Sequence, residues 1–115
     1  HPEEHILADG GEILFAQINN DIAATCALIK TGQTDYELAK MAVSPRYQGR
    51  KIGNSLLEAA IAKTKELGGT RLWLGSNRGL TPALSLYRKY GFKEFKVDAT
   101  PYARADIHME LDLKK

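Results

Sequence analysis

The chain has 115 residues, 43% hydrophobic and 26% charged, a balance that suits one compact domain and excludes a disordered or low-complexity segment. Sixteen basic against fourteen acidic residues leave a net charge of +2, far from the basic stripe of a general nucleic-acid binder. No apolar run reaches the roughly 20 residues that span a bilayer, and the opening HPEEHILADGG is too polar for a secretory signal, so the cytosol is the expected compartment, with neither membrane nor nucleic acid as partner.

Residues 1–10 read as a leader or the end of a preceding segment, and residues 11–115 as the domain itself. EILFAQIN (12–19) and DIAATCALIK (21–30) are β-rich runs around Asn19-Asn20-Asp21, a natural tight hairpin because Asn and Asp tolerate positive φ. YELAKMAV (36–43) follows as a third strand, stopped by Ser44-Pro45. From Ile52 the apolar positions Leu56, Leu57, Ala60, Ile61 and Leu67 fall on one helical face, which Gly68-Gly69 ends. TRLWLGS (70–76) is another strand. A short helix then starts with Thr81 as N-cap and Pro82 in the first turn, and runs to Gly91. FKEFKVD (92–98) and ADIHMELDL (105–113) complete a β-β-β-α-β-α-β-β order, which implies a mixed α/β sheet with helices packed on it.

Cys26 is the only cysteine, so no internal disulfide forms, and in IAATCALI it reads as a small apolar filler. His1 and His5 lie in the polar leader, and no His/Cys/Asp/Glu spacing suits a metal, so none is expected.

Chemistry concentrates between Val43 and the first long helix. Arg46-Tyr47-Gln48-Gly49-Arg50-Lys51-Ile52-Gly53 is basic, punctuated by glycine and runs into a helix N-terminus, where unpaired N–H groups and the positive end of the dipole favour an oxyanion. The bland alternative is a solvated basic loop. Neither G-x-x-x-x-G-K-[ST] nor G-x-G-x-x-G is present, which argues against a nucleoside-triphosphate P-loop and a dinucleotide fingerprint.

ELAKMAVSPRYQGRKIGNSLLEAA (37–60) resembles the acetyl-coenzyme A signature of the GNAT superfamily of N-acetyltransferases, whose pattern R/Q-x-x-G-x-G/A falls on Gln48 to Gly53. PALSLYRKYGF (82–92) resembles that family's second motif, a helix ending in Tyr-x-x-x-Gly-Phe, and HMELDL its closing strand. Two departures stand out. Lys51 occupies the position of the pattern's first glycine, and the strand and helices that usually precede the hairpin are missing, with only HPEEHILAD ahead of it. The chain is then a fragment, or completes its acceptor pocket with a partner subunit, as a homodimer would.

The resemblance implies a role for each matched residue. The coenzyme A pyrophosphate rests on the loop of Gln48, Gly49, Arg50, Lys51, Ile52 and Gly53. The pantetheine arm pairs like a strand with Met41 to Val43, the Met41 amide polarises the thioester carbonyl, and Asn77 contacts pantetheine. Tyr87 is the general acid for the departing thiolate, and Glu37 the base, through water, for the acceptor ammonium. Tyr90 and Trp73 read as packing residues, while Tyr102, Arg104 and His108 lie either on a solvated strand face or toward the acceptor. The implied activity is direct transfer of acetyl from acetyl-CoA to a primary amine. The alternatives are a non-catalytic acyl-CoA-binding or sensing module and an interaction domain built on the basic loop.

Overall fold

In the computed structural model, which describes residues 4–8, 13–49, 51–96 and 106–114, the strands form one sheet in the order β1-β2-β3-β4-β5-β7-β6. Alternation builds its first half. In β2 (Ile13–Ile18), Leu14, Ala16 and Ile18 point into the core. The turn to β3 (Asp21–Lys30) carries Asn19 at φ 50° and Asn20 at φ 73°, the two left-handed positions that a two-residue hairpin matched to strand twist requires. β1 (Glu4–Ala8) pairs antiparallel with β2 from Glu4↔Ile18 to Ala8↔Leu14. Sequence alone marks these residues only as a leader or the end of a preceding segment: EHILA is too short to declare a strand by alternation, and the edge of β2 supplies its partners.

β4 (Asp35–Val43) runs antiparallel to β3 and parallel to β5 (Arg71–Ser76), which is followed across the sheet by β7 (Ile107–Asp112) and the short β6 (Lys93–Phe95). The two helices lie on one face. α1 (Ile52–Glu66) buries Ile52, Leu56, Leu57, Ala60 and Thr64; of the face predicted by spacing, Ile61 is only half-buried and Leu67, past the end of the helix, is exposed, while Thr64 is added. Thr64 is tolerated there because its hydroxyl donates to the Ala60 carbonyl at 2.8 Å. α2 (Thr81–Lys89) buries Leu84 and Tyr87 in the same core as Leu72, Leu74, Ile107 and Met109, and the Tyr90 hydroxyl donates to Glu58 of α1 at 2.5 Å.

Both helices end in the same hydrogen-bond pattern. Gly68 (φ 85°) and Gly69 donate to the Lys65 and Thr64 carbonyls at 3.0 and 2.8 Å; Gly91 (φ 98°) and Phe92 donate to Arg88 and Tyr87 at 3.0 and 3.1 Å. These are Schellman caps, in which a left-handed glycine turns the chain so that two N–H groups satisfy the last carbonyls. The start of α2 differs from expectation by one residue. The Leu80 N–H is held by the Asn77 carbonyl at 2.9 Å and its own carbonyl accepts from Leu84 at 3.0 Å, so Leu80 is the N-cap and Thr81 the first helical residue, without a side-chain cap.

Gly69 is where this packing tolerates least. A Cβ there would lie 2.5 Å from Thr64 Cγ2 and 2.9 Å from both the Thr64 carbonyl oxygen and Tyr36 Cδ1. Backbone cannot yield as a flexible side chain can, so Gly69→Ala is expected to cost about 2–3 kcal/mol and to lower the melting midpoint by about 10 °C or more. A thermal melt of the variant checks it; an unchanged midpoint would mean that the α1–β5 turn has slack.

Candidate active site

The site begins where β4 and β5 separate. Their parallel pairing covers only Asp35↔Arg71, Tyr36↔Leu72 and Glu37↔Trp73. Beyond Glu37, β4 continues to Val43 against β3 and β5 continues to Ser76 against β7, so among the described residues the facing edges of the two strands have no ladder partner. On the far side of β4 the register with β3 shifts between Thr25↔Ala42 and Ala27↔Ala39, and Lys40 adopts φ 53°. This is a β-bulge, with an extra residue opposite Cys26 that takes one peptide out of the ladder. It also reverses the alternation: Tyr36 and Leu38 are buried before it, and Met41 and Val43 pack against the same core after it. The three-residue step from Leu38 to Met41 was the sequence signal for the bulge, and it went unread.

The loop that follows is tied to the hairpin. The Ser44 N–H donates to the Ala23 carbonyl at 2.8 Å, the Tyr47 hydroxyl donates to Asp21 at 2.8 Å, and Gln48 Nε2 reaches back to the Val43 carbonyl at 3.3 Å. Pro45–Tyr47 forms a 3₁₀ turn, after which Gly49 takes φ 86° with open space where a Cβ would be. Lys51 is the N-cap of α1, at φ 61° and ψ 22°, and supplies no side-chain cap. It thus adopts the left-handed conformation of the glycine it replaces in the pattern. The first intrahelical bond runs from Ser55 N–H to the Lys51 carbonyl at 3.4 Å, so helix geometry leaves the amides of Ile52, Gly53 and Asn54 without intrahelical acceptors. The first turn contains no acidic residue. A Cβ on Gly53 would meet Leu86 at 3.4 Å and Met41 Cε at 3.7 Å, placing the helix start against both α2 and the bulged strand. Unpaired amides, a positive dipole end and no acidic side chain fit a diphosphate. Arg46, expected to add charge, is turned to Asp21 at 3.2 Å, and Arg50 lies outside the described residues.

Tyr87 approaches the opening from α2. Its hydroxyl donates to Met41 Sδ at 3.9 Å, and its ring packs against Phe92 at a centroid distance of 5.7 Å. Burial, with an addition from nearby Cys26, raises the phenol above its ordinary value of 10.0, so the proton is retained at neutral pH. Cys26 is 2% exposed and burial pushes its thiol up to about 11, as befits a core filler. Glu37 stands half-buried on the last paired rung, beside Trp73 on the sheet face away from the helices. Asn77 is exposed beyond the end of β5, in a turn held by Arg78, whose N–H donates to Asp106 at 2.7 Å and whose guanidinium pairs with Glu94 at 2.6 Å. The structure thus brings Met41, Gly53 and Tyr87 together; Val43, the last residue of β4, and Gln48, Gly49 and Lys51 lie on the segment leading into α1, and Ile52 is buried in the core.

Trp73 packs on the sheet as expected, though on the outer face, its Nε1 donating to Thr31 at 2.9 Å. His108 is beside it, while Tyr102 and Arg104 lie outside the described residues. A separate cleft of about 920 Å³ lies at the other end of the sheet, between the starts of β4 and β5 and the end of β7. Its Arg71 is already engaged by Glu110 at 2.6 Å and Asp35 at 3.8 Å, and Met41, Gly53 and Tyr87 are not among its lining residues. Among the described residues no group of three or more His, Cys, Asp or Glu could hold a metal, and no helix is long and apolar enough to cross a membrane.

A strand pair that splays beside a helix N-terminus defines the site of a coenzyme-A-dependent acyltransferase fold, and comparison with known proteins makes this specific. The family model of the acetyltransferase (GNAT) domain matches residues 9–94. An uncharacterized N-acetyltransferase of Mycobacterium tuberculosis (strain ATCC 25618 / H37Rv) is 32% identical over 100 residues, 87% of this chain and 62% of the relative. The [ribosomal protein bS18]-alanine N-acetyltransferase of Escherichia coli (strain K12) is 29% identical over 92 residues, 80% of this chain and 62% of the relative. A GNAT family acetyltransferase from Elizabethkingia anophelis, solved with acetyl-CoA bound, superposes with a TM-score of 0.77 at 27% identity, covering 90% of this chain and 76% of that one. The chain belongs to the GNAT acetyltransferase family. It spans about three fifths of the length of the curated relatives it matches.

The buried thiol beside Tyr87 has a measurable consequence. A folded-state pKa of about 11 against an ordinary 9.0 means that the folded protein holds the Cys26 proton more tightly than the unfolded chain does. Its contribution to stability is therefore complete below pH 9 and lost as pH rises to about 11, with Tyr87 acting in the same direction from pH 10 upward. Denaturant titrations from pH 8 to 11 should show a loss of about 2 kcal/mol attributable to Cys26. Cys26→Ala, though less stable at pH 8, should lose correspondingly less over that range; an unchanged slope would place the titration elsewhere.

Proposed function

We propose that this chain carries the acetyl-CoA site and the proton-handling groups of an N-acetyltransferase that passes acetyl directly to a primary amine. The observation that carries it is the Tyr87 hydroxyl, protonated and held at Met41 of the bulged strand, just where β4 and β5 part. Bound acetyl-CoA supplies an activated thioester. The loop amides from Gln48 to Gly53 take its pyrophosphate, with the Lys51 ammonium as an added contact, and the unpaired edge from Met41 to Val43 takes the pantetheine arm. Tyr87 gives its proton to the departing sulfur, and Glu37, through water, removes one from the incoming ammonium. Asn77 stands at the exit of β5, where it borders the same arm. Tyr87 and Glu37 together favour an enzyme over a sensing module, since a sensor needs neither. The acceptor of the Escherichia coli relative is, by its name, the alanine of ribosomal protein bS18. For this chain the proposal extends to a primary amine.

Two measurements test this. Acetyl-CoA at 100 times its dissociation constant should stabilise the fold by about 2.7 kcal/mol, a rise in melting midpoint of about 10 °C. ATP and NAD, which lack the pantetheine arm, should do much less. Tyr87→Phe should keep that shift and lower turnover about 10²-fold or more where chemistry is rate-limiting. No shift with acetyl-CoA would sink the cofactor assignment, and undiminished turnover in Tyr87→Phe would return Tyr87 to the core.

A further inference from the structure

The sheet face opposite the helices carries a cavity of about 310 Å³ lined by Thr31, Asp35, Arg71, Trp73, Phe95 and His108. Three rings, packed on one another, line this open depression. Trp73 and Phe95 meet nearly at right angles, 84° apart at 6.4 Å between centroids, and His108 lies 6.4 Å from Trp73 and 5.8 Å from Phe95. The Trp73 ring is fixed by its indole N–H bond to Thr31 and the Phe95 ring by the Arg71 guanidinium 4.8 Å above it. Arg71 is in turn held by Glu110 at 2.6 Å and Asp35 at 3.8 Å, so the walls are set before any ligand arrives.

The cavity adjoins the opening between the strands. Trp73 and Glu37 are partners on the last paired rung and share a face, and Gly75, the next residue of β5 on that face, brings no side chain between Trp73 and the opening. The helix face is filled by the core, so among the described residues the outer face is the one that leaves an approach to the thioester. Charge selects what enters. Among the described residues, Arg71 is the only ammonium or guanidinium in the lining and is matched by two carboxylates, while Glu37 adds a third negative group on the side toward the opening.

From these observations, and resting on the acetyltransferase assignment above, we infer that the Trp73–Phe95–His108 cavity seats the acceptor. Its substrate is a primary amine with an aromatic group, the ring laid against the packed side chains of Trp73, Phe95 and His108 and the ammonium directed to Glu37. Acidic acceptors are repelled, and simple alkylamines lose the ring contacts.

Trp73 is the only tryptophan in the chain, so its emission reports the cavity directly, without need of catalysis. Phenethylamine, titrated into the full chain with and without acetyl-CoA, should change that emission saturably. Its dissociation constant should be at least about tenfold below that of propylamine, and phenylacetate should leave emission unchanged. Phe95→Ala and His108→Ala should each weaken phenethylamine while preserving the melting shift given by acetyl-CoA. Acceptor-dependent thiol release should follow the same order of amines. Equal responses to phenethylamine and propylamine, or none to either, would overturn the aromatic seat even where acetyl-CoA still stabilises the fold. Loss of the acetyl-CoA shift with a retained phenethylamine response would instead overturn the acetyltransferase assignment and leave the cavity as an aromatic-amine site.

Discussion

A β-strand has two edges, and β4 can satisfy both only as far as Glu37. Up to that rung it is paired with β3 and β5; past it, the two neighbours diverge, and one edge of β4 faces no described strand. The bulge at Lys40 is the local counterpart of that divergence. A left-handed φ on a lysine costs about 1 kcal/mol or more, and such strain persists only where surrounding structure over-determines it. Here the surroundings are the apolar side chains themselves. By inserting one residue between Leu38 and Met41, the bulge keeps Met41 and Val43 on the helix face, where plain alternation would have turned both outward. Met41 then contacts Gly53 at the start of α1 and the Tyr87 hydroxyl from α2. One side chain thus joins the start of α1, the Tyr87 hydroxyl and the open strand edge.

Tyr87 owes its position as much to the end of α2 as to Met41. In the Tyr-Arg-Lys-Tyr-Gly-Phe run, Tyr87 is the residue whose carbonyl closes the cap, Gly91 supplies the left-handed turn, and Phe92 folds back onto the Tyr87 ring. Spacing of this kind is a mechanical requirement. The glycine must stand four residues after the tyrosine for the cap to form on its carbonyl, and the next residue must be apolar to pack on its ring. The Tyr90 hydroxyl bond to Glu58 then ties α2 to α1, the helix whose first amides lack intrahelical acceptors.

Sequence periodicity revealed the hairpin, both helices and the strands from Ile13 onward because each carries its own signal: Asn-Asn at the turn, one apolar face along α1, glycines at both caps. What it missed depends on partners. Glu4–Ala8 is a strand because β2 has an edge to offer, and Leu80 rather than Thr81 caps α2 because the Asn77 carbonyl already holds its N–H. The local structure at the motif positions Gly49, Lys51, Gly53 and Tyr87 was legible, since the loop and the cap are set by nearby residues. The separation of β4 from β5 is a long-range property that no stretch of either strand records. Nor could spacing bring Trp73, Phe95 and His108 together, because they come from three strands whose order in the sheet differs from their order in the chain.

The loop's preference for an anion does not depend on its count of basic residues. Arg46 pairs with Asp21 across a surface where the two side chains are 76% and 50% exposed, and pairs so exposed contribute at most about 1 kcal/mol. What fixes the loop is the Ser44 backbone bond and the buried Tyr47 ring, which hold the helix start at the mouth of the opening. The α1 dipole places roughly half a positive charge at the amides of Ile52, Gly53 and Asn54. That charge does not titrate and cannot rotate away. Lys51 follows the same economy: its backbone does what a glycine would do, and its side chain adds one mobile cation at the rim. In this arrangement fixed dipoles come first and a side-chain charge second, so a net charge of only +2 is compatible with the anion site proposed for the loop.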